Sequence, residues 1–257
     1  MSTQVTTTVG KFVWHEHVST QPAKAQEFFK QLLGWEYEVF KPGEADYAII
    51  TSGGQGHGGF PPVPEGTPPH WVGNVRGESA DSTVEKAKAA GGGVIVEPMD
   101  IPEVGRYAVI RDPQGAVVAV FQPDDGGDGP MGQGVFVWDE LATSDVEASK
   151  GFYGEVFGWT TSDMDMGGGF TYTIWKRSDD AEDANGVGGA MPLGEAPVPM
   201  WMPYIAVDDI DGTAAEVKEL GGTVIREPWD IEGVGRISII QDPTGAVLGF
   251  IKPQPQS

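Results

Sequence analysis

The chain has 257 residues, 39% of them apolar and 10% aromatic, which is enough to bury two cores of ordinary domain size. Its 16 Lys and Arg against 38 Asp and Glu give a net charge of −22, which opposes binding to nucleic acid or to an anionic membrane. The lack of cysteine excludes disulfides and thiolate chemistry. With no membrane-spanning apolar run and no signal-peptide pattern, we expect a soluble cytoplasmic protein, and export by another route stays open.

The first quarter of the chain predicts a strand, a helix and three more strands. Residues 12–18 have a strand-like pattern, and Pro22 opens a helix that ends at Gly34 because its apolar residues recur at helical spacing up to that point. The three strands that follow are predicted at residues 35–40, 46–51 and 58–60.

The second quarter predicts the same order. A strand at residues 70–75 precedes a helix at 81–90, which Gly91-Gly92 closes, and three strands follow as far as Phe121. The last two are joined by Asp112-Pro113-Gln114-Gly115, a sequence typical of a tight turn because Pro fixes φ and Gly tolerates a positive φ.

The second half of the chain repeats the first. Residues 97–121 and 227–251 are identical at 13 of 25 positions. The offset between the halves is 124 residues up to Trp159 and 130 from Gly188 onward, so the extra residues are loop insertions. An internal repeat of this kind predicts four copies of one module.

The ordered set of motifs resembles one known family. Phe28-Phe29 and Gly34-Trp35 are followed by Gly91-Gly92 and by Asp112-Pro113-Gln114-Gly115, and the set recurs in the second half. It resembles the vicinal oxygen chelate superfamily of glyoxalase I, the bleomycin resistance proteins and the extradiol dioxygenases, and is most similar to its two-domain actinobacterial glyoxalase-like branch. The resemblance implies an α+β fold of tandem glyoxalase-like domains, each of two βαβββ modules that form a half-open curved sheet.

The repeat and the aperiodic segment between its halves, residues 123–134, predict the domain boundaries. We expect domain 1 at residues 1–123, a linker at 124–133 and domain 2 at 134–257. A small apolar or aromatic metabolite or antibiotic is the expected partner, with no nucleic acid and no membrane, and the protein is expected to be a monomer or a homodimer.

Superfamily members with known chemistry hold a divalent metal through His, Gln or Glu on the first strand of each module and through a Glu on the last strand. Carried over position by position, these ligands fall on six residues that are not ligands of the expected kind: Trp14, Val72, Ala119, Trp138, Met202 and Gly249. We therefore expect no cofactor and no metal ligand, with a divalent metal as the alternative.

All four histidines lie in the first half, at positions 15, 17, 57 and 70, and together with Glu16 they suggest a metal site. Strand alternation argues against it, because His15 and His17 share one face while Trp14 and Glu16 share the other, which faces the cavity by the family register. We expect His17 beneath a helix and His15 near a sheet edge. A register slip of one residue would reverse the faces, so the metal site stays as an alternative.

Two glutamates are the candidate catalytic residues. Glu16 and Glu140 occupy the same place in the two halves, each in mid-strand among apolar neighbours, where a carboxylate must find hydrogen-bond donors. Either could bind a polar substrate group or act as a base. The alternative is a structural role for each, with Arg106 and Arg236 as donors.

Aromatic side chains are predicted to line the cavities because they offer stacking faces to flat ligands. Trp71 and Trp201 are assigned to this set together with the substrate-binding candidates, which are Trp14, Glu16, Tyr47, His70, Asn74, Trp138, Glu140, Tyr172 and Tyr204. The first hypothesis is a small-molecule-binding protein of the glyoxalase and bleomycin-resistance type without the superfamily metal. The alternative is a metal-dependent lyase or dioxygenase, so whether the protein is an enzyme is left open.

Overall fold

The computed structural model describes residues 9–41, 46–124, 136–180, 186–194 and 198–254. The first half folds as β1 (Phe12–Val18), α1 (Pro22–Leu33), β2 (Glu36–Phe40), β3 (Tyr47–Ser52), β4 (Gln55–Phe60), β5 (His70–Arg76), α2 (Ala80–Ala89), β6 (Gly93–Ile101), β7 (Gly105–Arg111) and β8 (Val117–Pro123). The second half folds as β9 (Phe136–Thr143), α3 (Val146–Phe157), β10 (Thr160–Asp165), β11 (Thr171–Lys176), β12 (Gly188–Pro192), β13 (Met200–Ala206), α4 (Ile210–Glu219), β14 (Thr223–Ile231), β15 (Gly235–Gln241) and β16 (Val247–Pro253). None of the described helices is long and apolar enough to cross a membrane.

The strands form two open sheets of eight strands, one from each half of the chain. Their orders are β2-β3-β4-β1-β5-β8-β7-β6 and β10-β11-β12-β9-β13-β16-β15-β14. Both sheets are mixed. In the first sheet β1 runs parallel to β4 while β7 and β8 pair antiparallel, and in the second β13 runs parallel to β16 while β15 and β16 pair antiparallel. The predicted α+β class and the tandem βαβββ organisation are confirmed.

The helix ends are formed by residues suited to that place, among them the predicted Gly34. Gly34 ends α1 in the left-handed conformation, with φ of 68°, which glycine adopts without strain. The Asp145 side chain accepts a hydrogen bond from the backbone N–H of Ala148 and caps α3. In the turns before the last strands, Gly115 and Gly245 have φ of 115° and 111°.

Contacts between residues divide the chain into two compact units that do not coincide with its halves. Unit 1 contains residues 1–13, 73–131 and 141–201, and unit 2 contains residues 14–72, 132–140 and 202–257. Each unit therefore combines two modules from different halves. The domain boundaries at 123 and 134 stay a prediction, and the predicted linker lies, apart from Asp124, outside the described residues.

Each unit has an aromatic core. In unit 1, Tyr153 and Trp175 are fully buried and pack with Trp159 and Trp201. In unit 2 the core contains the following aromatic residues: Phe28, Phe29, Trp35, Phe60, Trp71 and Phe250. Burial of a large apolar side chain stabilises the fold by roughly 1.5–3 kcal/mol, so these clusters are a principal source of stability.

The assignment of Trp71 and Trp201 to the ligand cavity was wrong. Both are 3% exposed, Trp71 packs against Phe29 of α1, and the indole N–H of Trp201 donates to Tyr153 of α3. Successive residues of a strand face opposite sides of the sheet, so these tryptophans face the helices while their neighbours in β5 and β13 face away.

Candidate functional site

Glu16 lies at mid-strand in β1 and is 7% exposed. It is on the sheet face opposite α1, because the adjacent His17 packs against Phe29 of that helix. The Tyr47 hydroxyl donates to Glu16 Oε1 at 3.2 Å and accepts from Trp14 Nε1 at 2.7 Å. Trp14, Tyr47 and Glu16 therefore form a hydrogen-bonded chain that holds the carboxylate in place.

The environment of Tyr47 keeps its hydroxyl protonated. Burial raises the pKa of Tyr47 well above its usual value of 10, and the nearby Glu16 carboxylate raises it further. The phenol is therefore a permanent hydrogen-bond donor at neutral pH. Its ring lies against Gly59 of β4, where a β-carbon would collide with it.

Glu140 of β9 repeats this arrangement with a donor from another strand. It is 8% exposed, and the hydroxyl of Tyr204 of β13 donates to its Oε1 at 3.0 Å. The Tyr204 ring covers Gly249, its partner in the β13–β16 ladder, and would collide with any β-carbon there. We call Glu16 with Tyr47 and Glu140 with Tyr204 the two Glu–Tyr pairs, and both belong to unit 2.

The residues at the family's metal positions do not fit a metal ion. Trp14, Val72, Met202 and Ala119 offer neither an imidazole nor a carboxylate, and the Tyr204 ring fills the space beside Gly249 where a ligand side chain would lie. Among the described residues, no three His, Asp or Glu side chains are grouped so that they could hold a metal ion.

The histidines of β1 bind carboxylates on the opposite face of the sheet from Glu16. His15 Nε2 lies 2.9 Å from Asp139 Oδ1, and His17 Nε2 lies 2.6 Å from Asp242 Oδ2. His17 packs beneath α1 as predicted. The expectation that His15 lies near a sheet edge was wrong, because β1 is an inner strand and His15 is 5% exposed.

The other predicted site residues are spread over both units. His70 is half-buried, and its Nδ1 lies 2.8 Å from the Pro68 carbonyl oxygen, a local contact at the start of β5. Burial lowers its pKa. Trp138, half-buried on β9, lies in unit 2, whereas Asn74 and Tyr172 lie in unit 1. A role of these residues in ligand binding stays a prediction.

The suggestion that Arg106 and Arg236 hold the two glutamates was wrong. The Arg106 guanidinium binds Asp81 at 2.6 Å and Asp100 at 2.6 Å. Arg236 repeats this with Asp211 and Asp230 at 2.8 and 3.0 Å. In place of arginine, tyrosine hydroxyls donate to Glu16 and Glu140.

Two residues that the sequence reasoning missed are Asp139 and Asp242. Asp139 occupies in the second half the position that His15 has in the first, at the offset of 124. His15 and Asp139 thus offer a base and an acid at equivalent positions of the repeat, and they contact each other in unit 2. That complementarity was the available signal.

Comparison with known proteins agrees with this architecture. The model of the Glyoxalase/Bleomycin resistance protein/Dioxygenase superfamily matches residues 16–120 and 135–250. CFP32 of Mycobacterium tuberculosis, which is named as a glyoxylase, is 36% identical over 255 residues, or 95% of each chain. DauV of Streptomyces sp. strain C5, named as an anthracycline biosynthesis protein, is 31% identical over 263 residues, or 95% of this chain and 93% of that protein.

A solved structure shows the same fold. The Mn(II)-bound glyoxalase from Novosphingobium aromaticivorans superposes with a TM-score of 0.61 at 18% identity, over 95% of this chain and 82% of that one. Divalent metals therefore occur within the superfamily. The matched residues cover most of this chain, which belongs to the glyoxalase, bleomycin resistance protein and dioxygenase superfamily.

Proposed function

We propose that the protein binds a small, flat, apolar or aromatic molecule through the two Glu–Tyr pairs and the tryptophans beside them, without the superfamily metal. The observation that carries the proposal is the Tyr204 ring, which lies over Gly249 in place of the family's carboxylate ligand and aims its hydroxyl at Glu140. A phenol and a carboxylate thus lie at the position where metal-binding members of the superfamily hold the metal. These two groups suit a ligand with a hydroxyl or amine group.

The aromatic surroundings favour burial and stacking as the source of affinity. Trp14, Tyr47 and Trp138 are each only half-buried. Their exposed ring faces would gain about 25 cal/mol for each Å² of apolar surface covered, and roughly 0.5–1.5 kcal/mol more for each well-placed aromatic contact. The 31% identity to an anthracycline biosynthesis protein supports a multi-ring aromatic ligand of the polyketide type.

A titration followed by tryptophan fluorescence tests this function, with emodin, a hydroxylated anthraquinone, as the flat probe and glycerol as the small hydrated comparator. We expect emodin to quench the fluorescence saturably, with the same response when a chelator is present, and glycerol to have no effect. Saturable binding that appears only after a divalent metal is added would reject the proposal.

Substitution of Glu16 and Glu140 tests whether their carboxylates contribute to ligand binding. Glu16→Gln and Glu140→Gln should each weaken emodin binding by roughly 5–150-fold, the equivalent of about 1–3 kcal/mol for a hydrogen bond to a buried charge. Glu36→Gln, which neutralises an exposed glutamate of β2, is the matched control and should bind as the wild type does. Equal affinities in all four proteins would remove the glutamates from the site.

The second candidate function is a metal-dependent lyase or dioxygenase, favoured by the 36% identity to a protein named as a glyoxylase. Glu16 or Glu140 would then be the candidate base. Turnover of the methylglyoxal–thiol hemithioacetal, measured with Ni, Zn, Mn and Fe added back in turn, distinguishes the two functions. Robust turnover that a chelator abolishes would establish the enzyme and make His15, His17 and His70 the next residues to substitute.

A further inference from the structure

Unit 2 has buried histidines where unit 1 has side chains that do not titrate. His17 corresponds to Leu141 at the offset of 124 residues. His57 corresponds to Val187, because Gly58 and Gly188, the residues that follow them, have equivalent partners in the antiparallel ladders. Since the same fold packs with leucine and valine at these positions in unit 1, the histidines of unit 2 are not required by the fold.

His17 and a second histidine of β1, His15, contact carboxylates in the core of unit 2. His17 and Asp242 are 0% and 3% exposed, and their contact joins β1 to the turn before β16. His15 and Asp139 are 5% and 4% exposed, and their contact joins β1 to β9. These two contacts therefore tie together the strands that carry Glu16 and Glu140.

His57 differs from the other two because it has no carboxylate partner. It is 1% exposed, it packs against Trp35 and Phe136, and neither of its ring nitrogens has a hydrogen-bond partner in the described part of the chain. Burial lowers the pKa of His57 to about 4, with a smaller electrostatic contribution from the neighbouring His15. The titratable groups around this cluster are His15, His17, His70, Asp139 and Asp242.

We propose that unit 2 contains an acid-sensitive switch in which protonation of the buried His57 loosens the packing of β1 and β9 and weakens ligand binding at the two Glu–Tyr pairs. The binding part of this inference rests on the proposed function. His15 lies between Trp14 and Glu16 along β1, and Asp139 lies between Trp138 and Glu140 along β9. A shift of the His15–Asp139 contact therefore moves residues on the ligand-binding face.

The sign of the effect follows from the environment of His57. A histidine whose pKa is lower in the folded state than in the unfolded chain contributes its full stabilisation of the fold above its ordinary pKa of 6.5. That stability is lost as the pH falls from 6.5 toward 4. Unit 1 has Val187 at this position and lacks this contribution.

The test compares urea unfolding of wild type, His57→Val and His57→Gln at pH 7.5 and pH 5. Valine is the residue that unit 1 uses, and glutamine keeps a polar side chain that does not titrate, so one variant remains if the other fails to fold. Between these pH values, the unfolding constant of the wild type should rise roughly 30-fold more than that of either variant. His70→Gln, which removes a half-buried histidine outside the core, should retain most of the acid effect.

Emodin binding at pH 7.5 and pH 4 tests the coupling to the ligand site, because at pH 4 about half of the folded protein carries the proton on His57. Wild type should lose roughly twofold in affinity at pH 4, and His57→Val should keep its affinity. Equal acid sensitivity of unfolding in wild type and both variants would overturn the switch, as would an equal loss of emodin affinity in wild type and His57→Val. If emodin does not bind at pH 7.5, the proposed function fails, while the unfolding comparison still decides whether His57 confers acid sensitivity.

Discussion

Units 1 and 2 are built on the same aromatic plan. In unit 1 the Phe12 ring lies 5.9 Å from Trp159 and 5.2 Å from Trp201, and in unit 2 the equivalent Phe136 lies 5.9 Å from Trp35 and 5.5 Å from Trp71. The two cores differ in their polar groups. Large apolar rings fill both cores, and the two repeats differ chemically at positions between the rings, such as His17 and its counterpart Leu141.

The turn aspartates show this divergence most clearly. In unit 1 the Tyr153 hydroxyl donates to Asp112 at 3.0 Å, whereas in unit 2 His17 takes that place on Asp242. Burial raises the pKa of Asp112. Burial acts on Asp242 in the same direction, but the hydrogen bond and the charge of His17 outweigh it and lower the pKa of Asp242. One buried position thus holds an acid that resists ionisation in unit 1 and a stabilised carboxylate in unit 2.

The largest effect is expected from removing the partner of Asp242. His17→Leu introduces the residue of unit 1, but it leaves a buried carboxylate whose remaining donors, among the described residues, are backbone amides and the Thr244 hydroxyl. We expect a loss of roughly 3 kcal/mol of unfolding free energy, measured by urea denaturation. Tyr153→Phe, the matched change in unit 1, should cost about 1–3 kcal/mol. Equal losses would show that the two aspartates are held in the same charge state.

A substitution at Gly249 tests whether Tyr204 closes the family's ligand position. Gly249→Ala places a β-carbon against the Tyr204 ring and should cost about 1–3 kcal/mol of stability through overpacking. Ala119→Gly, at the equivalent position of the first half, removes a fully buried methyl group without adding any new contact and should cost about 1–2 kcal/mol. Adding Tyr204→Leu to Gly249→Ala should recover part of the loss, and strictly additive effects would contradict the assigned contact.

The pH dependence of unfolding should separate the two aspartates. Asp242, with a lowered pKa, contributes stability above its ordinary value of 3.8 that is lost as the pH falls through its folded pKa. Asp112, with a raised pKa, contributes stability at low pH that is lost as the pH rises through its folded pKa. In urea titrations across the acidic range, Asp242→Asn should therefore flatten the gain of stability with pH and Asp112→Asn should steepen it. Changes of the same sign would contradict these directions.

The smallest effect is expected at an exposed arginine–aspartate ion pair that both halves contain. Asp81→Asn and Asp211→Asn remove equivalent, exposed partners of Arg106 and Arg236. Water and salt screen such pairs, so both variants should show equal, small decreases in thermal midpoint that shrink further at high salt. Unequal decreases would show that the two halves differ at this surface as well.

Most of the fold was predictable because the two halves of the sequence carry the same motifs in the same order. The helix ends at Gly34, the Asp145 cap and the Asp-Pro turns each depend on local backbone chemistry that a short segment carries by itself. The pairing of modules into units was not predictable from the sequence. It depends on contacts between residues as far apart as His17 and Asp242, to which no local pattern points.

The candidate site was predicted in part for the same reason. Strand alternation separated Glu16 and Trp14 from His15 and His17, since it needs only the parity of positions. The donors to Glu16 and Glu140 could not be found this way, because Tyr47 comes from β3 and Tyr204 from β13, and the parity of positions does not say which neighbouring strand supplies a donor. Arginine was expected because it pairs with carboxylates in general, but nearby aspartates bind Arg106 and Arg236.

Isothermal titration calorimetry of emodin tests most directly the claim that this chain binds an aromatic ligand without a metal. The protein would be stripped with a chelator and titrated before and after addition of Mn²⁺, Ni²⁺, Zn²⁺ or Fe²⁺. We predict the same dissociation constant in every case, with a negative heat-capacity change because apolar surface is buried. Binding that is absent from the stripped protein and restored by one of these ions would contradict the account.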